Sequence, residues 1–536
     1  MPVIESRLQP DSEAFQSHST AMHALLGQLR AHEQRAVAAS QASAPRFAKR
    51  NQLLPRERVA LLLDPGSPFL PIASLAGLGH DQPDLSRSVP GAGVIAGIGF
   101  VSGIRCMVSA SDSGIDAGAL QPMGLDKQLR VQELALENKL PYVQLVESAG
   151  ANLMAYRVQD FVRGGNIFRN LARLSAAGLP VITVTHGSST AGGAYQTGLS
   201  DYIVMVRDRT RAFLAGPPLL KAATGEVASE EALGGAVMHT SVSGLGDYLA
   251  EDDRDAIRIA REILANIDWP ASRSARDFKP PRHAAEELMG VMPADWKRPV
   301  DMREVIARLV DDSDFLAFSP DYGPATVCGH ARLEGWPVGI ITNNGPIDAA
   351  GATKATHFIQ ACCQSRTPLL YLHNITGYMV GVAHEEGGII KHGAKMIQAV
   401  TNASVPQVTL HCGASFGAGN YGMCGRGFAP RFCFSWPNAV TAVMGGEQAA
   451  KTMAIVAEAA MARQGAVDQG KLDAIQQKIV ERFEGQMSVF STSALLLDDG
   501  VIDPRDTRAV LAEVFAICRE ADARTPQAMQ FGVARP

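Results

Sequence analysis

The sequence predicts an α/β protein of two domains built on one repeated plan. Three observations predict it. The chain has 536 residues, well past the roughly 250 to 300 at which single cores stop growing. A segment rich in proline and charge, WPASRSARDFKPPRHAAEELMGVMPADWKRPVD from Trp269 to Asp301, lacks sustained apolar periodicity and reads as a domain linker. The halves on either side repeat each other in outline.

The first half contains LPYVQLVESAGANL and then GGNIFRNLARLSAAGLPVITVTHGSSTAGGAY. The second answers with TPLLYLHNITGYMV and then GGIIKHGAKMIQAVTNASVPQVTLHCGASFGAGNY. Pro141 to Pro180 spans 39 positions and Pro368 to Pro406 spans 38. Each half therefore predicts, in order, a short strand after a proline, a glycine turn, an amphipathic helix, a second apolar strand, and a glycine-rich loop opening a further helix. Strands alternating with helices put both halves in the α/β class.

The second glycine loop, CGASFGAGNYGM from Cys412 to Met423, fits two familiar patterns at once. As G-x-S-x-G it would make Ser415 the nucleophile of an α/β-hydrolase, whose acid and histidine follow the serine along the chain. All 13 histidines lie at or before His411, so the order fails. As G-x-G-x-x-G across Gly417, Gly419 and Gly422 it would bind a dinucleotide, with an acidic residue about 20 positions further on. The first acidic residue after Gly422 is Glu447, too late and outside any strand pattern. What remains is shared with the sibling loop HGSSTAGGAY: a strand runs into small residues whose backbone N–H groups are left outward at a helix start. Close helix packing is the other use of such glycines.

The formal net charge of -5 gives no electrostatic footprint for nucleic acid, which would show as a basic stripe. Charged residues make up only 19% and glycines number 51, a composition that fits surface buried in an oligomer. The eight cysteines form no C-x-x-C pair, and Cys412, Cys424 and Cys433 are spaced to fit no zinc template. They read as reduced core thiols, and no metal is expected. The start, MPVIESRLQPDSEAF, lacks a signal core and an arginine-rich amphipathic helix, and no apolar run approaches the ~18 to 20 residues of a membrane helix. These features predict a soluble cytoplasmic protein without membrane contact.

On these paired loops the chain resembles the carboxyltransferase β subunit of biotin-dependent acyl-CoA carboxylases, whose two domains both have the crotonase fold of the ClpP/crotonase superfamily. The resemblance runs from about Arg56, in RERVALLLDPGSPFL, to DDGVIDPRDTR, Asp498 to Arg508. It includes, in order, GPPLLKAATGE, LGGA, REVIARLVDDS, NITGYMVG, GAGNYGMCGR, SWPNA and VMGGEQAA. These blocks are nearer the methylcrotonyl and geranyl branch than the propionyl or acetyl branches. The resemblance implies an α/β fold of two tandem crotonase-like domains, at residues 22–278 and 286–530. It also implies carboxyl transfer from carboxybiotin to a carbon of an acyl-CoA through an enolate. The sequence carries no A-M-K-M biotinylation motif, no lysine-bearing glycine-rich ATP loop and no cysteine-rich zinc ribbon. Biotin would then be carried by a partner α subunit with biotin carboxylase and biotin carrier domains, and the β subunits would form a homo-hexamer in a larger α/β complex.

The same resemblance assigns the two loops to two oxyanions. Gly192 and Gly193 would serve the acyl-CoA enolate, while Ala418 and Gly419 would serve the ureido oxygen of biotin. Ala191, Ala194 and Tyr195 would touch the acyl-CoA, and Phe416, Gly417 and Tyr421 the biotin. One preorganised donor of this kind is worth about 2.7 to 4 kcal/mol of barrier. No side-chain base is implied, because in the family the ureido nitrogen is thought to take the substrate proton. His186 and His411 precede the loops at positions that look matched. They read as hydrogen-bonded core histidines, with a site role as the alternative. Tyr195 and Tyr421 close the two loops, with core packing as their alternative. Arg332, in GHARLEGWPVG, is implied for the CoA phosphates, with Lys127 and Lys221 as further candidates. DSGIDAGALQP, Asp112 to Pro122, departs from a family pattern nearer GGTYYP, so no CoA contact carries over there.

Substrate length turns on DFVRGGNIFRN, where Gly164 and Gly165 lie on the approach to the helix leading to the first loop. Methylcrotonyl-type members carry phenylalanine at the position matching Gly164, and losing a ring that buries ~150 to 250 Å² leaves room for a longer acyl chain. Geranyl-CoA, carboxylated at its γ-carbon through a dienolate, fits that room; 3-methylcrotonyl-CoA is the alternative. A flexible turn is the other use of two glycines. A hydratase, isomerase or decarboxylase of the same fold would need a carboxylate pair near the amide loop, and Glu147 is the single nearby candidate. A silent scaffold subunit is the reading from a different class.

Overall fold

The computed structural model describes residues 2–150, 157–270, 276–293, 295–464 and 467–534. Residues 271–275 and 294 of the expected linker, and 151–156 of the first expected glycine turn, lie outside the described residues.

Two compact units divide the chain. The amino-terminal unit comprises Arg30–Arg273, Ala494–Leu496 and Ala516–Pro536. Its sheet contains β1 (Leu70–Pro71), β2 (Val94–Val101), β3 (Ile104–Ser111), β4 (Tyr142–Ser148), β5 (Val181–Thr190), β6 (Tyr202–Val206), β7 (Arg211–Phe213) and β8 (Tyr248–Ala250). The order is β1-β2-β3-β4-β5-β6-β8, with β7 beside the end of β5. The carboxy-terminal unit comprises Met1–Leu29, Ser274–Ser493 and Leu497–Phe515. It holds β9 (Leu316–Ala317), β10 (Thr326–Leu333), β11 (Trp336–Asn343), β12 (Leu369–Ile375), β13 (Gln407–Phe416), β14 (Phe432–Ser435) and β15 (Val440–Ala442). Their order is β14-β13-β12-β11-β10-β9, with β15 beside the end of β13.

The repeat read from sequence is thus a repeat of topology. Each sheet begins with antiparallel hairpin pairs, β1-β2-β3 and β9-β10-β11, and continues in parallel from β3 and from β11. Parallel neighbours need a crossover, and in both units it is the expected amphipathic helix. Helix Val158–Ala176 buries Ile167, Leu171 and Leu174, and helix Ile389–Thr401 buries Ile389, Gly393, Met396 and Val400, each set on one face. The central strands are buried on both sides because helices cover the sheet. Val143, Val184 and Val204 pack with Ile257 and Leu264 of helix Asp253–Ala265. In the other unit Ile341 and Tyr371 pack with Phe358 and Met396.

Each unit takes a segment from the far end of the chain. Within the amino-terminal unit, buried Glu520 pairs with Arg105 at 3.0 Å and with Arg524 at 2.8 Å. Gly178, at φ 76°, lets the Gln527 carbonyl come so close that a side chain would collide with it. Within the carboxy-terminal unit, the N–H of Ile4 donates to Ser313, and Ser6 donates to Glu304 at 2.6 Å. The expected linker is in part core: Leu288, Met289, Val291 and Met292 are buried, and Phe15 presses on Gly290. Four apolar residues in so short a run are too few to display a period.

One buried ion cluster fixes the strands that approach the first glycine loop. Arg58, on helix Pro55–Leu62, donates to Glu147 of β4 at 2.6 Å and to Asp253 at 3.1 Å. Asp253 opens helix Asp253–Ala265 and receives the His186 ring of β5 at 2.7 Å. Ser113 donates to Glu147 at 2.8 Å. Burial, and then the Arg58 charge, push His186 below its ordinary value, so the ring is neutral and its Nδ1–H donates. Removing one member of such a cluster strands the others. Arg58→Met should therefore lower stability by about 3 to 5 kcal/mol, read as a fall in the denaturation midpoint. An unchanged midpoint would show that the two carboxylates do not depend on it.

Candidate active site

The two loops are superposable in description, residue for residue. β5 ends at Thr190; Ala191 then turns to φ 51°, and helix Gly192–Gly198 begins. β13 ends at Phe416; Gly417 turns to φ 54°, and helix Gly417–Gly422 begins. Short strands brace both turns, with Thr190 opposite Phe213 in β7 and Phe416 opposite Ala442 in β15. Gly192 and Ala418 are exposed, and Gly193 and Gly419 are buried beneath them. First-turn N–H groups have no partner within their own helix, so both loops present neutral donors at the carboxyl end of a sheet. Tyr195 and Tyr421, four residues after the turns, are 52% and 51% exposed. Core packing is excluded for them. Tyr195 meets Phe168 edge-on, and Tyr421 leans on Phe428.

The glycines differ in what they permit. A Cβ on Gly419 would lie 2.6 Å from Ile375 and 3.0 Å from Gly377, so close packing requires glycine there. A Cβ on Gly193 would lie 3.4 Å from Ser189 Oγ, an ordinary contact. Packing therefore explains the second glycine of the carboxy-terminal loop and leaves Gly193 without a steric reason.

The two histidines that looked matched are one position out of step. Thr185 of β5 stands opposite Val146, whereas His411 of β13 stands opposite His373, just before the same bulge in each sheet. His411 thus corresponds to Thr185, and His186 and His411 face opposite sides of their sheets. Both are core histidines. Burial pushes His411 down to about 4, and its Nδ1 lies 3.3 Å from Ser435 Oγ. Ser415 is fully buried, and it has a histidine neighbour that chain order did not suggest: His373 Nδ1, at 2.8 Å. A serine with no exposed surface is no nucleophile for an acyl-CoA.

Other candidate side chains fall away from the loops. Glu147 is tied to Arg58, as described, and is not a free acid or base. Lys127 is 2% exposed, donates to the Val94 carbonyl at 2.6 Å, and is pushed down to about 7 by burial, so it does not meet a phosphate. Lys221 is exposed on helix Pro217–Thr224. Arg332 is exposed on β10 opposite Pro337 and donates to the Gly335 carbonyl at 3.0 Å, at the end of its sheet away from the Gly417 turn. All eight cysteines are free thiols. Among the described residues, no helix is long and apolar enough to cross a membrane.

Gly164 and Gly165 lie inside helix Val158–Ala176, not in a turn before it. A Cβ at either would meet nothing within 4 Å. Gly164 is one turn before Phe168, hence on the same face, and Phe168 is the ring that a Cβ on Gly192 would meet at 3.2 Å. The open space beside Gly164 therefore continues the surface that faces the first loop. On the other flank of that loop, Ala194, Tyr195, Leu199, Phe213 and Leu245 line an apolar groove of about 630 Å³.

Comparison with known proteins agrees with this geometry. The carboxyl transferase domain family matches residues 47–531. The crystal structure of the β subunit of P. aeruginosa geranyl-CoA carboxylase is 51% identical, with a TM-score of 0.94 and 100% of each chain covered. The "Probable biotin-dependent acyl-coenzyme A carboxylase beta2 subunit" of Mycobacterium tuberculosis is 46% identical over 99% of this chain and 100% of its own length. The "Biotin-dependent 3-methylcrotonyl-coenzyme A carboxylase beta1 subunit" of the same organism is 45% identical, over 91% and 92% respectively. With two units of one topology forming the tandem crotonase-like pair, the chain belongs to the carboxyl transferase family, among the β-subunit carboxyltransferases of biotin-dependent acyl-CoA carboxylases.

Proposed function

We infer that this chain moves a carboxyl group from carboxybiotin, carried by a partner α subunit, to the γ-carbon of a branched enoyl-CoA, and that geranyl-CoA is its substrate. The observation that carries the substrate is the open space at Gly164 and Gly165. Two adjacent glycines inside a helix cost roughly 1 kcal/mol each relative to alanine, and no packing among the described residues repays it. A long acyl chain lying along this face would use the room. The alternative, 3-methylcrotonyl-CoA, is favoured by the name of the M. tuberculosis beta1 relative and needs the same loops but not the room.

In this reading the N–H groups of Gly192 and Gly193 hold the thioester oxygen as it gains charge, with Ala191, Ala194 and Tyr195 around the acyl group. Ala418 and Gly419 hold the ureido oxygen, with Gly417 and Tyr421 around the biotin ring, while the Phe416 side chain, 2% exposed and edge-on to Trp296, supports the turn from beneath. The residues fit these tasks because neutral amides suit an oxyanion, and among the described residues no carboxylate pairs with either turn. When bound, biotin supplies the carboxyl group and, once that has left, a nitrogen able to take the substrate proton. The histidines and Ser415 supply none of this, being buried behind the loops. Arg332 is retained for the CoA phosphates on the resemblance alone. A homo-hexamer of β subunits and a cytoplasmic setting belong to the same reading. The test is the purified chain with its biotinylated partner, labelled bicarbonate and a panel of acyl-CoAs; label entering no enoyl-CoA would overturn it.

Two substitutions probe the parts separately. Gly193→Pro removes one donor at a position where a Cβ makes only an ordinary contact, so kcat should fall by about 10²- to 10³-fold in a folded protein, measured in the same assay. A near-normal rate would remove Gly193 from the site. Gly164→Phe adds a ring at a position whose Cβ meets nothing within 4 Å among the described residues, so the protein should fold and lose geranyl-CoA turnover by roughly tenfold or more relative to 3-methylcrotonyl-CoA turnover. Equal losses on both substrates would defeat the assignment of substrate length.

A further inference from the structure

The carboxy-terminal loop is held at both ends by one imidazole. His373, on β12, is fully buried. Its Nε2 lies 2.6 Å from the carbonyl of Met423, the residue directly after helix Gly417–Gly422. Its Nδ1 lies 2.8 Å from the hydroxyl of Ser415, two residues before that helix. A carbonyl only accepts, so Nε2 carries the proton and Nδ1 accepts from Ser415. The Ser415 oxygen accepts in turn from Asn420 Nδ2 at 2.8 Å, which draws the middle of the helix to the same point. Both ring nitrogens are thereby used, one as donor and one as acceptor.

The amino-terminal loop is closed at the equivalent places by different groups. Ser189, which matches Ser415, lies 3.0 Å from the hydroxyl of Thr197, which matches Met423; Thr185 lies 3.2 Å from the same hydroxyl. His373 is matched by Val146, which has no polar atom to offer. A tie across each loop is thus present twice, built from hydroxyls in one unit and from an imidazole in the other. Two unlike constructions of one tie imply that the tie itself is what the loop requires.

We propose that His373 is the positioning residue of the carboxy-terminal amide loop, fixing the direction in which the first-turn N–H groups of Ala418 and Gly419 point. The proposal rests on the reading of that loop as an oxyanion site. Burial holds His373 well below its ordinary value, with the neighbouring His411 ring acting in the same direction, so the neutral form that makes both bonds is the one present.

The experiment uses the full chain in complex with its biotin-carrying partner. His373→Leu removes both bonds, His373→Gln keeps the reach to Met423, His373→Asn keeps the acceptor for Ser415, and Ser415→Ala frees one end alone. A loop displaced by a fraction of an ångström should lower kcat by about 10- to 100-fold in His373→Leu and by less in the other three, with KM for acyl-CoA within about twofold. Hydrogen exchange should quicken at residues 417–422 and stay unchanged at 192–198, a contrast that general destabilisation would not produce. Unchanged exchange at 417–422, or a folded His373→Leu with kcat within about twofold of the parent, overturns the proposal. Should His373→Leu fail to fold, the glutamine and asparagine variants are measured by kcat and by exchange in the same way, and unchanged values in both overturn it equally. If the parent complex carboxylates no acyl-CoA, the functional reading falls, while the exchange contrast still decides the tie.

Discussion

Both amide loops depend on a single residue forced into the left-handed region directly after a buried strand. Ala191 does this after β5 and Gly417 after β13. The turn changes strand into helix without an intervening loop, so the first N–H groups of the helix emerge at the sheet's carboxyl edge. An alanine held there costs on the order of 1 to 2 kcal/mol and persists only where its surroundings leave no alternative. The N–H of Ala191 is bound to the Phe213 carbonyl at 3.0 Å, which supplies part of that constraint. In the other unit glycine removes the strain, and the Val443 carbonyl stands 3.0 Å from where a side chain would begin.

Around this shared backbone the supporting chemistry has diverged. The amino-terminal unit backs its loop with charges, joining Arg58, Glu147, Asp253 and His186 across four elements. The carboxy-terminal unit uses mostly neutral groups, running from Ser415 and His373 past His411 to Ser435, which donates to Asp498 at 2.7 Å. Burial pushes Asp498 up to about 6, so even the one acid in that series is a reluctant anion. Topology, register and bulge position agree between the units, whereas almost none of these polar side chains does. What the repeat preserves is a path for the backbone.

The sequence made the repeated strands, crossover helices and glycine loops legible because each is a local signal: a proline, a period, a run of small residues. Features that depend on pairing were not legible. His186 and His411 looked equivalent because both precede their loops by a few residues, and only strand register shows that they face opposite sides. His373 lies on a neighbouring strand, 42 residues before Ser415, and no linear pattern joins them. Reading Gly164 and Gly165 as a turn follows from treating glycine as punctuation. The helix runs through them because Ile167, Leu171 and Leu174 anchor the turns that follow. The apolar residues from Leu288 to Met292 were hidden by the prolines and charges on either side.

The exchange of chain ends bears on the order in which the protein is made. The amino-terminal unit contains residues 494–496 and 516–536, so these partners leave the ribosome only after residues 274–493 have been synthesised. Until then Arg105 lacks Glu520, and Gly178 lacks the close approach of Gln527. Early domain-by-domain folding, the usual course for a chain of this length, is here left unfinished by construction. Contacts of such long sequence separation are slow to form, because the connecting chain must be closed first. A chain cut short of Glu520 would leave Arg105, buried in the finished unit, without its carboxylate.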